Sequence, residues 1–218
     1  MKTRHAQSIC RGLTNITHVI TIAALAAATI MLAACAGTPA PSAAPVSDLP
    51  PLRTVPKVDL QRYQGTWYEI ARTPFGIQDR NCARETTATY TARADGAIDV
   101  LNRCLRADGT VFSALGLATV IDRTTNAQLE VTFLPAWIRW LPVGRGDYWV
   151  LELAPDYSYV VIGEPGRRYL WILARAPRMD AATFASVSAR LPVHGYDPAR
   201  LVPSPGSTLP AALPLPRT

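Results

Sequence analysis

Outside the first 34 residues the chain has a single histidine, His194, in "PVHGYDP". A histidine can act as general base for a serine nucleophile when a carboxylate orients it. Here such a triad would have to be assembled on one loop, and the plainer reading is a surface-loop histidine. The carboxylates are scattered, with no evident pair for acid–base work. No cluster of histidine, cysteine and acid has metal-ligand spacing, and no glycine-rich phosphate loop is present. These residues predict no catalytic group, no metal and no cofactor. The remaining reactive side chains are the four cysteines, Cys10, Cys35, Cys82 and Cys104.

Residues 1–34 contain Lys2, Arg4 and Arg11 and no acid, then an apolar run of 16 residues, Val19 to Ala34. A basic start, an apolar middle and small residues before a break describe a secretory signal. The run falls short of the ~20 residues that span a bilayer. "LAAC", Leu32 to Cys35, resembles a bacterial lipobox, in which the cysteine becomes the lipidated N-terminus, so Cys35 is expected to carry acyl chains such as palmitate. Each buried CH₂ of such a chain contributes ~0.8 kcal/mol to anchoring. Ala36 follows, as in lipoproteins sorted to the outer membrane, so the expected place is that membrane, on its periplasmic side. Cys10 leaves with the signal and Cys35 is taken by lipid. Cys82 and Cys104 remain as an even pair in an oxidising compartment and are expected to form a disulfide; the alternative is two buried free thiols.

Loss of the signal lowers the formal net charge of +6 by three. The remaining excess is modest, with no dense basic run, so nucleic acid is not an expected partner. Residues 36–56, "AGTPAPSAAPVSDLPPLRTVP", hold six prolines and few large apolar groups. Residues 35–56 therefore read as a lipidated start and tether. Residues 57–202 read as one folded domain, and 203–218 as a proline-rich, disordered tail.

Inside 57–202, short strand-like runs alternate with turn signals. "TWYEIAR" is followed by "ETTATYTAR" and "AIDVLNRCL" around the turn "ADG", where Gly96 is free to take positive φ. "VFSALGLATVI", "LEVTFL", "DYWVLEL", "YSYVVIG" and "RYLWILAR" complete eight. The predicted fold is all-β: an eight-stranded antiparallel up-and-down barrel, which removes exposed edges. One helix, "MDAATFASVSARL", starts at Asp180 as N-cap and gathers Phe184, Val187 and Leu191 on one face. That face is expected to pack on the barrel's outer wall. Pairing Arg93 with Ala97 would put Cys104 opposite Thr86, about 13 Å of strand from Cys82, whereas a disulfide needs Cα atoms ~4.4–6.8 Å apart. Either "NCAR" folds back or a bulge shifts the register.

An eight-stranded barrel has an interior just wide enough for one small ligand. Alternation groups Ile98, Val100, Asn102, Cys104 and Arg106 on one face, and Trp149 with Leu151. It also separates Leu170, Ile172 and Ala174 from Tyr169, Trp171, Leu173 and Arg175. Large apolar groups beside Asn102 and Arg106 suit an amphiphile with a polar head. A filled core with an arginine at its rim fits the same pattern, and periodicity does not choose between faces.

"VDLQRYQGTWYEIAR" resembles the opening of bacterial outer-membrane lipocalins, and "YLWILARAP" resembles the segment after their last barrel strands. "VLN" followed by "LRADGT" is similar to apolipoprotein D-like lipocalins, and "FLP…GDYWVL" to plant temperature-induced ones. The likeness spans most of 57–202. It implies that Gly65, Trp67 and Arg175 close one end of the barrel, with the arginine across the indole. It implies a pocket lined by Tyr90, Val100, Asn102, Arg106, Trp149 and Trp171. It implies binding of fatty acids, lysophospholipids or other small lipids. Two other functions stay open: a lipocalin-fold enzyme acting on a lipid or isoprenoid, and an envelope assembly lipoprotein with a filled barrel. The oligomeric state is not set by the sequence, and a homodimer remains an option.

The stretch 134–145, "LPAWIRWLPVGR", interrupts the strands with Trp137, Ile138, Trp140 and Leu141 beside Arg139 and Arg145. Two readings fit: a loop folding its apolar groups against the barrel, or a loop at the open end that dips into a bilayer surface.

Overall fold

A computed structural model gives the fold and describes residues 49–207; the signal segment, Cys35 and residues 208–218 lie outside the described residues. Eight strands run β1 (Gly65–Arg72), β2 (Arg84–Ala92), β3 (Ile98–Leu105), β4 (Val111–Val120), β5 (Gln128–Thr132), β6 (Arg145–Leu153), β7 (Tyr159–Gly163) and β8 (Leu170–Ala174). Each pairs antiparallel with the next, and β1 pairs with both β8 and β2, so the sheet closes on itself. Closure removes most of the free edge that invites aggregation; only the second half of β1, beyond its pairing with β2 at Gly65 to Tyr68, is left unpaired on that side by the barrel.

Up-and-down order gives the barrel two distinct ends. The base holds the start of β1 and the turns at 93–97, 121–127 and 154–158. The mouth holds the β1–β2 connection, the turn at 106–110, the loop 133–144 and the turn 164–169. Short helices lie at both ends: α1 (Leu60–Tyr63) just before β1, and α2 (Gly76–Asn81) between β1 and β2. Neither was legible in the sequence, because each is too short to show a helical period.

The first hairpin closes as expected, with Arg93 N–H donating to Ala97 O at 2.9 Å. Its register holds from Ala92↔Ile98 to Thr87↔Arg103 and then shifts, so that Arg84 faces Leu105. Glu85 sits in the shift with φ 57°, a left-handed conformation that a bulge can require. Above it α2 turns the chain back and ends at Cys82. Bulge and reversal together bring Cys82 to a Cα distance of 5.4 Å from Cys104, and the two form a disulfide. Both distortions weighed from the sequence occur.

The late helix is α3 (Ala181–Arg190), capped by the Asp180 carboxylate, which accepts from Thr183 N–H. Val187 and the following Leu191 are fully buried against the outer faces of β1, β7 and β8, with Ile70, Val161, Leu170 and Ile172. Burial of each is worth roughly 1.5–3 kcal/mol. Arg190 pairs with Glu152 of β6 at 2.7 Å and pins the helix end to the wall.

The packed body reaches past 57–202 at both ends. Val55 N–H donates to Val150 O at 2.9 Å, and Leu52 packs with the cluster under α3. Beyond β8 a short β9 (Val202–Pro203) pairs with Ala71 and Arg72 of β1, and Ser204 N–H donates to Ile70 O at 2.9 Å. Proline-rich chain builds no core of its own, yet it can still cover a sheet edge.

Candidate functional site

The base is sealed by residues from both ends of the barrel sequence. Asp59 accepts from Gln61 N–H at 2.9 Å and Arg62 N–H at 3.3 Å, starting α1. That turn carries Tyr63 beneath the strands. Gly65 then takes φ +90°, a conformation that costs a residue with a side chain, and the next inward position is Trp67. The indole is completely buried, and its N–H donates to Tyr63 O at 2.9 Å. Arg175, one residue past β8, lays its guanidinium 3.9 Å from the Trp67 ring centroid. The same group donates to Thr66 O at 3.1 Å and Arg62 O at 2.6 Å.

Above this floor three tyrosines meet inside the barrel. Tyr148 shares a hydrogen bond of 2.6 Å with the Tyr63 hydroxyl and one of 2.9 Å with the Tyr90 hydroxyl. Burial pushes Tyr90 up to about 12 and holds Tyr63 and Tyr148 well above the ordinary phenol range. The cluster is therefore neutral at physiological pH. Val58, Ile98, Ala118, Leu129 and Val150 surround it, and the space they enclose is about 10 Å³. That is the size of one water, so the lower half is a packed core.

The upper half differs. By alternation Ala88, Asn102, Phe112, Ala114 and Trp171 point inward, yet each is only half-buried. Solvent reaches the inner wall from the mouth. The β1–β2 connection overhangs that opening, with Phe75 edge-on to Tyr169 and Trp171 at centroid distances of 5.1 and 5.9 Å. Its anchor is polar. The buried Glu69 carboxylate accepts from Ser204 Oγ and from Gln78 Nε2 on α2, and Arg72 bridges Glu69 and Asp79. Burial raises Glu69 above the usual carboxylate range, against these partners.

The sequence-expected residues fall into three places. Gly65, Trp67 and Arg175 meet at the base. Tyr90 and Val100 lie in the packed lower half. Asn102 and Trp171 line the open half, and Arg106 stands in a mouth turn with its guanidinium 5.0 Å from the Phe112 ring centroid. Trp149 is a correction. It packs in the outer cluster beneath α3, because Tyr148 and Val150 take the inward positions of β6. Sequence reasoning missed Tyr148 and Tyr63, and also Ala88, Phe112 and Ala114 of the inner wall; once Val150 is known to face inward, Tyr148 follows at a spacing of two. His194 sits on the outer wall, its ring nitrogen 3.3 Å from Glu152. Among the described residues no group of three or more His, Cys, Asp or Glu could hold a metal ion.

The loop 133–144 divides its apolar groups. Leu134, Ile138 and Leu141 are half-buried, whereas Trp137 and Trp140 are 77% and 75% exposed. Folding against the barrel accounts for the first three only.

A barrel sealed at one end by a tryptophan under an arginine, and open at the other beneath an aromatic overhang, is a calyx. The lipocalin-like domain family matches residues 58–205, and the chain belongs to the lipocalin family. It is 37% identical over 160 residues to temperature-induced lipocalin-1 of Arabidopsis thaliana, covering 73% of this chain and 85% of the relative. To the outer membrane lipoprotein Blc of Escherichia coli (strain K12) it is 31% identical over 192 residues, 87% of this chain and 99% of the relative. Among solved structures, insecticyanin from the tobacco hornworm Manduca sexta superposes with a TM-score of 0.56 at 22% identity, covering 71% of this chain and 84% of that one. That likeness speaks for the fold.

Proposed function

We propose that this lipocalin holds fatty acids, lysophospholipids or similar small amphiphiles in the upper half of its calyx. One observation carries the reading: inward-facing groups stay solvent-accessible above a sealed, uncharged floor. An acyl chain laid against Ala88, Ala114 and Trp171 would gain roughly 0.8 kcal/mol per buried CH₂. Asn102 and Arg106, towards the mouth, suit a polar head. The neutral tyrosine cluster below offers hydroxyls and no charge, so a carboxylate or phosphate end belongs at the mouth. Cys35 serves as a lipid anchor in the outer membrane, a reading supported by the lipobox-like "LAAC" and by the likeness to an outer membrane lipoprotein.

The test is mass spectrometry of organic extracts from the purified protein, beside an empty-vector control. Near-stoichiometric fatty acid or lysophospholipid is the expected result. Absence of extracted lipid, together with failure to bind a fluorescent fatty acid, would favour a scaffold with a filled barrel, the reading to which the packed lower half points. Cys35→Ser should release the chain from membranes; retention in high salt would overturn the anchor.

A further inference from the structure

Large apolar side chains are exposed unevenly. Six of them sit at the mouth end: Ile77 on α2, Val111 at the start of β4, and Phe133, Trp137, Trp140 and Val143 on the loop 133–144. Elsewhere Leu115 on the β4 wall, Ile121 in a base turn, Val193 after α3 and Val202 on β9 are exposed singly. The gathering of six at one end marks an interaction surface.

The loop is built to present its indoles. Arg139 Nε donates to Leu134 O at 2.7 Å, and Arg145 donates to Arg139 O at 3.0 Å and to Glu130 at 2.6 Å. Trp140 donates its indole N–H to Trp137 O at 3.1 Å. Its one polar atom is thus satisfied within the loop, so moving the ring out of water leaves no donor unpaired.

The mouth segments carry a small basic excess, with Asp79, Asp108 and Glu164 standing among their arginines. Arg80 on α2, Arg106 in the turn 106–110 and Arg168 in the turn 164–169 stand on the three other mouth segments. Among the described residues, none of them has a carboxylate within 4.0 Å. Exposed tryptophan and unpaired arginine at the same end of a barrel suit a surface that sits at the headgroup level of a membrane. A mouth-to-mouth pair of two copies would instead bring like charges together across its two-fold axis.

We propose that the mouth docks on a bilayer surface containing anionic lipid, with Trp137 and Trp140 inserted at headgroup level and the rim arginines on the phosphates. The calyx then opens onto the bilayer, and an amphiphile passes between the two without crossing water. The inference goes beyond ligand binding, since it concerns the outer rim and not the interior.

The test uses chain 35–218 carrying Cys35→Ser, which includes every described residue and lacks the anchor. Two readouts are taken: co-sedimentation with phosphatidylcholine vesicles, with or without phosphatidylglycerol, and affinity for a fluorescent fatty acid. Binding to the anionic vesicles is expected, with a blue shift of tryptophan emission. Trp137→Ala with Trp140→Ala should weaken vesicle binding at least tenfold and leave the thermal midpoint unchanged. Vesicle binding of that strength supports docking whether or not the fatty acid binds. Equal vesicle binding by the double variant would overturn the proposal. So would absence of vesicle binding by the parent, whether or not sedimentation shows a dimer that the double variant loses.

Discussion

The Arg175 guanidinium lies 3.9 Å from the Trp67 ring centroid while donating to the carbonyls of Thr66 and Arg62. One side chain thereby joins the exit of β8 to the entry of β1 and to α1, the two points where the barrel must close. Cation–π contact contributes ~0.5–2 kcal/mol, and a bond from a charged donor ~1.5–3 kcal/mol. Trp67→Ala should cost ~3–5 kcal/mol and Arg175→Ala about 2 kcal/mol. The double variant should cost less than their sum by ~0.5–2 kcal/mol. Urea unfolding of the four proteins checks this, and strict additivity would show that the pair does not act as one unit.

Gly65 supplies the left-handed step beneath that pair. A methyl group there would meet Arg175 Nη1 at 3.4 Å, an ordinary contact, so space is not the obstacle. The cost of Gly65→Ala is the φ of +90°, roughly 1–3 kcal/mol. Gly116→Ala differs, since its new carbon would fall 2.7 Å from the Phe133 ring. Phe133 is exposed and able to swing away, but the Thr132 carbonyl oxygen, 3.0 Å from the new carbon, is backbone and is not. Both variants should therefore lower the thermal midpoint, Gly65→Ala through its φ and Gly116→Ala through the crowded carbonyl.

Tyr148 is the middle of the tyrosine chain, so Tyr148→Phe removes two hydrogen bonds and Tyr90→Phe removes one. The expected losses are ~2–3 and ~1 kcal/mol, read from urea midpoints.

The same phenols set an alkaline limit. Their folded values lie above the unfolded value near 10, with Tyr90 up to about 12. A raised acid holds its proton longer in the folded state. Its contribution is complete below pH 10 and declines as pH rises towards 12. Thermal midpoints between pH 9 and 12 should fall, and more steeply for the parent than for Tyr90→Phe.

The disulfide closes a separation of 22 residues that holds β2 and most of β3, and it ties the end of α2 to β3. Loop entropy gives it ~3 kcal/mol. Cys82→Ser with Cys104→Ser should lower stability by about that amount and speed amide exchange first in residues 76–84. The floor at Trp67 should keep its protection until global unfolding.

The sequence by itself determined the strands, the turn at Gly96 and the capped helix at Asp180, and it offered Cys82 and Cys104 as a pair. Each rests on local chemistry: a period of two, a positive φ, a side-chain acceptor, an even count of thiols. It did not determine which face of β6 is inside. Both faces of that strand are apolar, because the barrel covers one and α3 covers part of the other. Trp149 and Tyr148 were therefore equivalent until the barrel closed. The division between packed base and open mouth was likewise invisible. It depends on Tyr63, Tyr90 and Tyr148, from three separate elements, meeting at one height on the axis. Only the tertiary register fixes that height, since pairing of the strands decides which distant side chains share a level.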